Sequence, residues 1–203
     1  MSALISDVTA SPRFLTLISV TSQNNKSESI KVQGTECYNR GSMARRATLF
    51  VTCIVDQIFP QVGLAMARVL EELGYSVDFP EAQTCCGQPA FNSGHWEEAR
   101  SVARHFLSVF GDAEYVVVPS GSCTSMITHH FAEIFSKDPD ALKAAHSLET
   151  RVWEFSQFLL EVAKVEDVGA SLHRVATYHD SCHSLRELKI KSGPRRLLSH
   201  VRG

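Results

Sequence analysis

The sequence predicts an α/β fold: a parallel sheet with flanking helices, followed by the start of a second, similar lobe. Three observations lead there. Short apolar runs rich in β-branched residues alternate with amphipathic helical stretches. Cysteines stand where several of those runs end. A late run, Arg174 to Cys182, repeats the character of an early one, Thr48 to Cys53. Right-handed strand–helix–strand connections bring the loops that follow parallel strands to one edge of the sheet, where such folds place ligands.

Taken in order, residues 1–46 are rich in Ser, Thr, Asn and Gln, hold no sustained period and carry the isolated Cys37. They are expected to form a poorly ordered extension. Met43 offers an alternative start just before the first strand-like run, which would leave Cys37 outside the chemistry. Thr48-Leu49-Phe50-Val51-Thr52-Cys53 reads as a buried parallel strand ending at a cysteine. Pro60 opens a helix whose apolar face carries Val62, Ala65, Met66, Val69, Leu70 and Leu73, and Gly74 stops it.

Tyr75 to Phe79 gives the second strand, ended by Pro80, with Cys85-Cys86-Gly87 on the loop beyond. The next helix has Glu97 and Glu98 in its first turn, with Trp96, Ala99, Ala103, Phe106 and Phe110 facing the core. Glu114 to Pro119 is the third strand, and Ser120-Gly121-Ser122-Cys123 leads into a helix bearing Ile127, His130, Phe131, Ile134 and Phe135. A helix from about Leu148 to Ala163 is expected to pack across the sheet. The expected divisions are therefore 1–46, a first α/β domain at 47–165, and an incomplete second lobe at 170–203. The second lobe stays incomplete because only 21 residues follow Cys182, none of them cysteine. The chain is on this reading a fragment of a two-lobed protein.

With 203 residues and 44% apolar composition the chain can bury a real core. A net charge of −2 offers no basic surplus for nucleic acid. The apolar run Phe14 to Val20 is far shorter than the roughly 20 residues of a membrane helix. Six cysteines without a convincing secretory signal point to ligation or redox work in a reducing compartment, so a cytoplasmic location is expected.

The chemistry centres on Thr84-Cys85-Cys86-Gly87-Gln88-Pro89. Adjacent Cα atoms lie about 3.8 Å apart, too close for an unstrained disulfide, which spans roughly 4.4–6.8 Å. Two thiols side by side on a glycine turn suit a polynuclear metal centre, with Gly87 allowing close backbone approach. Cys53, Cys85, Cys86 and Cys123 make the four thiolates that iron–sulfur clusters commonly use. Zinc is the rival metal, but the Cys-x-x-Cys pairs typical of its thiolate sites are missing. The bland alternative is four small buried hydrophobes.

Cys182, with His179 and His183 nearby, is either a further metal ligand or an unpaired thiol. Ser120 is either a weak ligand or, the favoured reading, a helix N-cap. His129 and His130 read as ordinary surface and core residues, and Asp56 as a solvated loop carboxylate. No catalytic residue is singled out. No Gly-x-Gly-x-x-Gly follows a strand, so no flavin or nicotinamide fingerprint is present.

The spacing Cys53-x31-Cys85-Cys86-Gly87-x35-Cys123 resembles the first half of a cysteine-rich CCG domain, the module found in heterodisulfide reductase and in the iron–sulfur subunit of glycolate oxidase. Leu49 to Cys53, Val77 to Pro80, Gln83 to Gly94, Ser120 to Cys123 and His179 to His183 most resemble the lactate utilization protein A family. That resemblance implies a cytoplasmic iron–sulfur subunit that works with two partner proteins in oxidising L-lactate to pyruvate. It implies a cluster, 4Fe–4S being the expected type, on Cys53, Cys85, Cys86 and Cys123, and an oxidoreductase subunit that is not catalytically complete alone. Ser120 stands where heterodisulfide reductase carries an extra cysteine, so a four-thiolate cluster is expected in place of its larger one. A thiol or disulfide oxidoreductase and a non-redox docking module are the alternatives.

Overall fold

The computed structural model describes residues 45–203. Cys37 and all but the last two residues of the expected extension lie outside the described residues. Strand β1 (Arg46–Leu49) begins the sheet, followed by helices α1 (Cys53–Ile58) and α2 (Pro60–Glu72) and strand β2 (Ser76–Asp78). Helices α3 (Gln88–Asn92) and α4 (Trp96–Phe110) lead to β3 (Tyr115–Val118). Helix α5 (Gly121–Ser125) continues through a π-helical turn, Met126–His130, into α6 (Phe131–Ile134). Then come α7 (Pro139–Glu149), β4 (Val152–Glu154) and α8 (Phe155–Gln157), the last extended by a second π-helical turn, Phe158–Val162. Helices α9 (Cys182–Arg186) and α10 (Gly193–Ser199) complete the elements of the described residues.

The four strands are parallel in the order β2-β1-β3-β4, with Thr48 opposite Val116 and Val117 opposite Trp153. The expected α/β architecture is thus present: every strand is followed by helix, and parallel pairing is the outcome of those crossovers. The core lies on both faces of the sheet. On one, Phe50 meets Phe106 and Phe110 edge-on at 4.9 and 5.5 Å, alongside Met126, Ile127 and Phe131. On the other, Ala47, Leu49 and Val117 pack with Met66, Leu70 and Phe158. Each edge-to-face aromatic pair adds about 0.5–1.5 kcal/mol to its area burial.

Four expectations are corrected. Residues 148–163 are not one helix: α7 ends at Glu149, and Val152–Glu154 leaves helical geometry to pair with β3. Val152, Phe155, Leu159 and Val162 have helix-like spacing, but an open sheet edge recruits the first of them, and ladder pairing there overrides a local period. Arg151 braces that turn, donating to the carbonyls of Gly111 at 2.9 Å and Ser147 at 3.1 Å, and to that of Ala113. Strand β1 stops at Leu49, so Cys53 opens a helix instead of ending a strand.

Arg174–Ser181 forms no strand, and Val175 is fully exposed at 104%. Helix α9 begins at Cys182. Finally, Trp96 is exposed, lying edge-on to Phe91 at 5.0 Å instead of entering the core. Helix α10 packs near α8, and both it and α9 belong to the same compact unit as the sheet, Met43–Gly203. No helix among the described residues is long and apolar enough to cross a membrane.

Candidate metal centre

Three connections leave the carboxyl edge of the sheet carrying sulfur. Beyond β1, Thr52 in extended conformation turns the chain into α1, whose first residue is Cys53. Beyond β2, the loop through Pro80 delivers Cys85 and Cys86, and Gly87 ends it at φ 84° in the left-handed region. An added Cβ at Gly87 would meet Ala99 O and Val102 Cγ1 at an ordinary 3.5 Å, so backbone conformation, not space, calls for glycine there. Beyond β3, Ser120 caps α5: its hydroxyl accepts from Cys123 N at 3.5 Å, and its carbonyl accepts from Thr124 N at 2.9 Å. The favoured reading of Ser120 as a cap is what the structure has.

The four sulfurs meet as a run of neighbours. Cys53 Sγ lies 3.7 Å from Cys85 Sγ, Cys85 is in hydrogen-bonding contact with Cys86, and Cys86 with Cys123. Cys86 and Cys123 are buried, while Cys53 and Cys85 are half-buried. Among the described residues no three His, Cys, Asp or Glu side chains close on a single metal ion. A run of thiols drawn from three loops is a donor set for a group with several metal atoms.

Their protonation differs sharply along the run. Contact with Cys86 and the Gly87 N–H, which donates to Sγ at 3.4 Å, overcomes burial and lowers the Cys85 thiol to about 5. Contact with Cys86 also lowers Cys123 against burial, helped by the hydroxyls of Ser120 and Ser122. Cys86, between two thiolates and buried, is pushed up, first by Cys123 and then by Cys85. Burial, then contact with Cys85, pushes Cys53 up as well. Two stabilised thiolates, two further thiols and a backbone donor to sulfur are the chemistry an iron–sulfur cluster requires, so the residues fit that group.

Residues 47–128 match the family of the cysteine-rich CCG domain, which takes in every thiol of this run. The chain is 52% identical over 158 residues to lactate utilization protein A of Geobacillus kaustophilus (strain HTA426), covering 78% of this chain and 66% of that protein. Over the same spans it is 51% identical to lactate utilization protein A of Bacillus cereus (strain G9842) and 50% to that of Bacillus thuringiensis (strain Al Hakam). The chain belongs to the lactate utilization protein A family. It spans just under two thirds of the length of these lactate utilization protein A relatives, at 66%.

The remaining candidates fall outside the sulfur run. Cys182 is exposed at the start of α9. Its neighbour His183 does approach the centre, with Nε2 3.4 Å from Gln88 Nε2, while Gln88 donates to Ser122 O at 3.3 Å. Helix α9 reaches that position because Gly121 has no side chain: a Cβ there would collide with Ser184 Oγ. His130, read from sequence as ordinary, lies 3.4 Å from a Glu187 carboxylate oxygen that also accepts from the buried Ser125 hydroxyl.

Sequence reasoning missed Gln83 altogether as a structural group. Its side-chain amide bonds three backbone groups, Val51 N, Leu49 O and Pro80 O, between the loops that carry Cys53 and Cys85. The only signal in the sequence was an amide residue two positions before a paired cysteine, which is weak without a three-dimensional frame.

Proposed function

We propose that this chain is the iron–sulfur, electron-carrying part of an assembly that oxidises L-lactate to pyruvate with two partner proteins. Cys53, Cys85, Cys86 and Cys123 would hold the cluster, of 4Fe–4S type, with Gly87 shaping the turn. The observation that carries this reading is the meeting of four thiols from three separate sheet-end loops, within a chain about half identical to lactate utilization protein A. A bound cluster supplies one-electron storage and release.

The chain's own residues make that storage possible. Cys85 and Cys123 are already biased toward the thiolate that binds metal, and the Gly87 N–H offsets charge at Cys85 Sγ. Cys86 and Cys123, buried against the Phe50 and Met126 core, keep water from one side. Cys53 is half-buried and opens onto α1, whose Ile54 and Ile58 are each 62% exposed. Oxidation of lactate to pyruvate releases two electrons and two protons; this chain takes the electrons, and the partners carry out the hydroxy-acid chemistry in the same reducing, cytoplasmic compartment.

The test is anaerobic purification with iron and acid-labile sulfide analysis and electron paramagnetic resonance. About four iron atoms per chain are expected, together with a signal that lactate elicits only when the partner proteins are added. Protein free of iron under those conditions ends the proposal.

A second reading has its own observation. The 3.7 Å separation of Cys53 and Cys85 sulfurs, with Cys85 the more acidic, suits thiol–disulfide exchange. The Cys85 thiolate would attack a substrate disulfide and release one thiolate. Cys53 would then displace the other, leaving a Cys53–Cys85 disulfide and two reduced thiols. Trapping of a mixed disulfide on Cys85 in iron-free Cys53→Ser protein would favour this reading.

A further inference from the structure

We propose that Gln83 is a positioning residue that sets the separation of the Cys53 and Cys85 sulfurs, an inference that rests on reading those thiols as one ligand set. Strand β1 pairs with β2 only as far as Thr48 opposite Asp78. Just beyond, Pro80 has no N–H with which to continue a ladder. On the far side, Phe50 N–H still donates to Val117 O at 3.1 Å. Alternate residues of a strand direct their backbone groups to opposite sides, so Leu49 O and Val51 N–H face the side where β2 has ended. Unmet, such half-buried groups are costly.

Gln83 replaces the missing peptide unit. Its Oε1 accepts from Val51 N at 2.8 Å, and its Nε2 donates to Leu49 O at 3.2 Å and to Pro80 O at 3.1 Å. Of the side chains, only a primary amide offers one acceptor and two donors on a single planar head. The clamp is also symmetric about the site. Val51 is two residues before Cys53, and Gln83 is two residues before Cys85, so each sulfur hangs a short and equal length of chain from the same crossing point. The 3.7 Å approach of the two sulfurs follows from that crossing.

The experiment uses the full chain in iron-free form, oxidised with diamide, with the Cys53–Cys85 disulfide followed by peptide mapping. Wild type is compared with Gln83→Ala and Gln83→Glu, and alkylation of Cys86 and Cys123 reports general loosening. Both variants are expected to form that disulfide at least about ten-fold more slowly, since small misplacement of reacting atoms is amplified in rate. Gln83→Glu is included because a carboxylate can accept from Val51 but cannot donate to the two carbonyls. Cys86 and Cys123 should alkylate at wild-type rates.

Wild-type pairing in either folded variant, or loosening of all four thiols by the same factor, overturns the proposal. The outcome is separate from that of the cluster reading. Iron-free wild-type protein after anaerobic purification defeats the cluster while leaving the oxidation rates to judge Gln83. Iron-loaded wild type with unslowed variants defeats Gln83 alone.

Discussion

Two stretches of this chain run through β-branched and aromatic residues to a cysteine, and they fold in opposite ways. Thr48–Cys53 starts within β1, between two parallel neighbours: Thr48 is opposite both Asp78 and Val116, and Phe50 just beyond is wholly buried beneath Phe106 and Phe110. Its cysteine enters the sulfur run. Arg174–Ser181 forms no strand; Val175 stands in solvent and Cys182 is exposed. Arg195 ties the second stretch down, donating to both Asp180 carboxylate oxygens at 2.7 Å and lying over the Tyr178 ring. Strand-forming composition is therefore permissive only, and a strand appears where a neighbouring strand can accept its backbone and the core can cover its side chains.

The largest expected contrast is in metal content. Cys53→Ser should reduce iron in anaerobically purified protein to background, and Cys182→Ser should leave it at the wild-type level. Retention by the first or loss by the second would reverse the roles of the two stretches. Next is stability in urea. Phe50→Ala removes a fully buried ring and should cost about 3–5 kcal/mol, whereas Val175→Ala should stay within about 0.5 kcal/mol.

Between the regions lies the Gly121–Ser184 contact, where α9 approaches the thiol-bearing helix. Gly121→Ala forces these elements apart and should cost about 1–3 kcal/mol, with faster amide exchange confined to 182–190. Unchanged exchange there would show that α9 does not depend on this contact.

Two smaller effects sharpen the picture within each region. Cys123 is held low first by Cys86 and, after the opposing effect of burial, by Ser120. Ser120→Ala should therefore move the alkylation profile of Cys123 in iron-free protein to higher pH and cost about 1 kcal/mol through the lost cap. In the other region, the Arg195 guanidinium holds the Asp180 carboxyl below its usual range. A depressed folded-state value means its stabilisation is complete above the unfolded carboxylate value, about 3.9, and is lost as pH falls through the lower folded value. NMR titration of Asp180 in wild type and Arg195→Ala should show that low value rising toward normal in the variant; exposure of the pair keeps the effect small.

Much of the centre was legible in the chain itself. Cys85-Cys86-Gly87 excluded an easy disulfide by geometry alone, and Cys53 and Cys123 followed from their places after apolar runs. The turn at Gly87 and the cap at Ser120 are local chemistry and were readable for that reason. Gln83 was not, because its three partners are backbone groups that only the ended β1–β2 ladder leaves open. Strand β4 was hidden likewise, since Val152–Glu154 is too short to show a period and takes its conformation from β3.

From residue order alone came the alternation of strand and helix, the parallel sheet it implies and the set of four thiols. These follow from spacing and side-chain type, which act over a few residues. Tertiary structure alone decided which cysteine-ended run joined the sheet, which sulfurs touch, and how protons are shared among them. Those outcomes depend on groups about 30 to 70 residues apart meeting at the edge of one sheet, where burial and hydrogen bonding act through space and not along the chain.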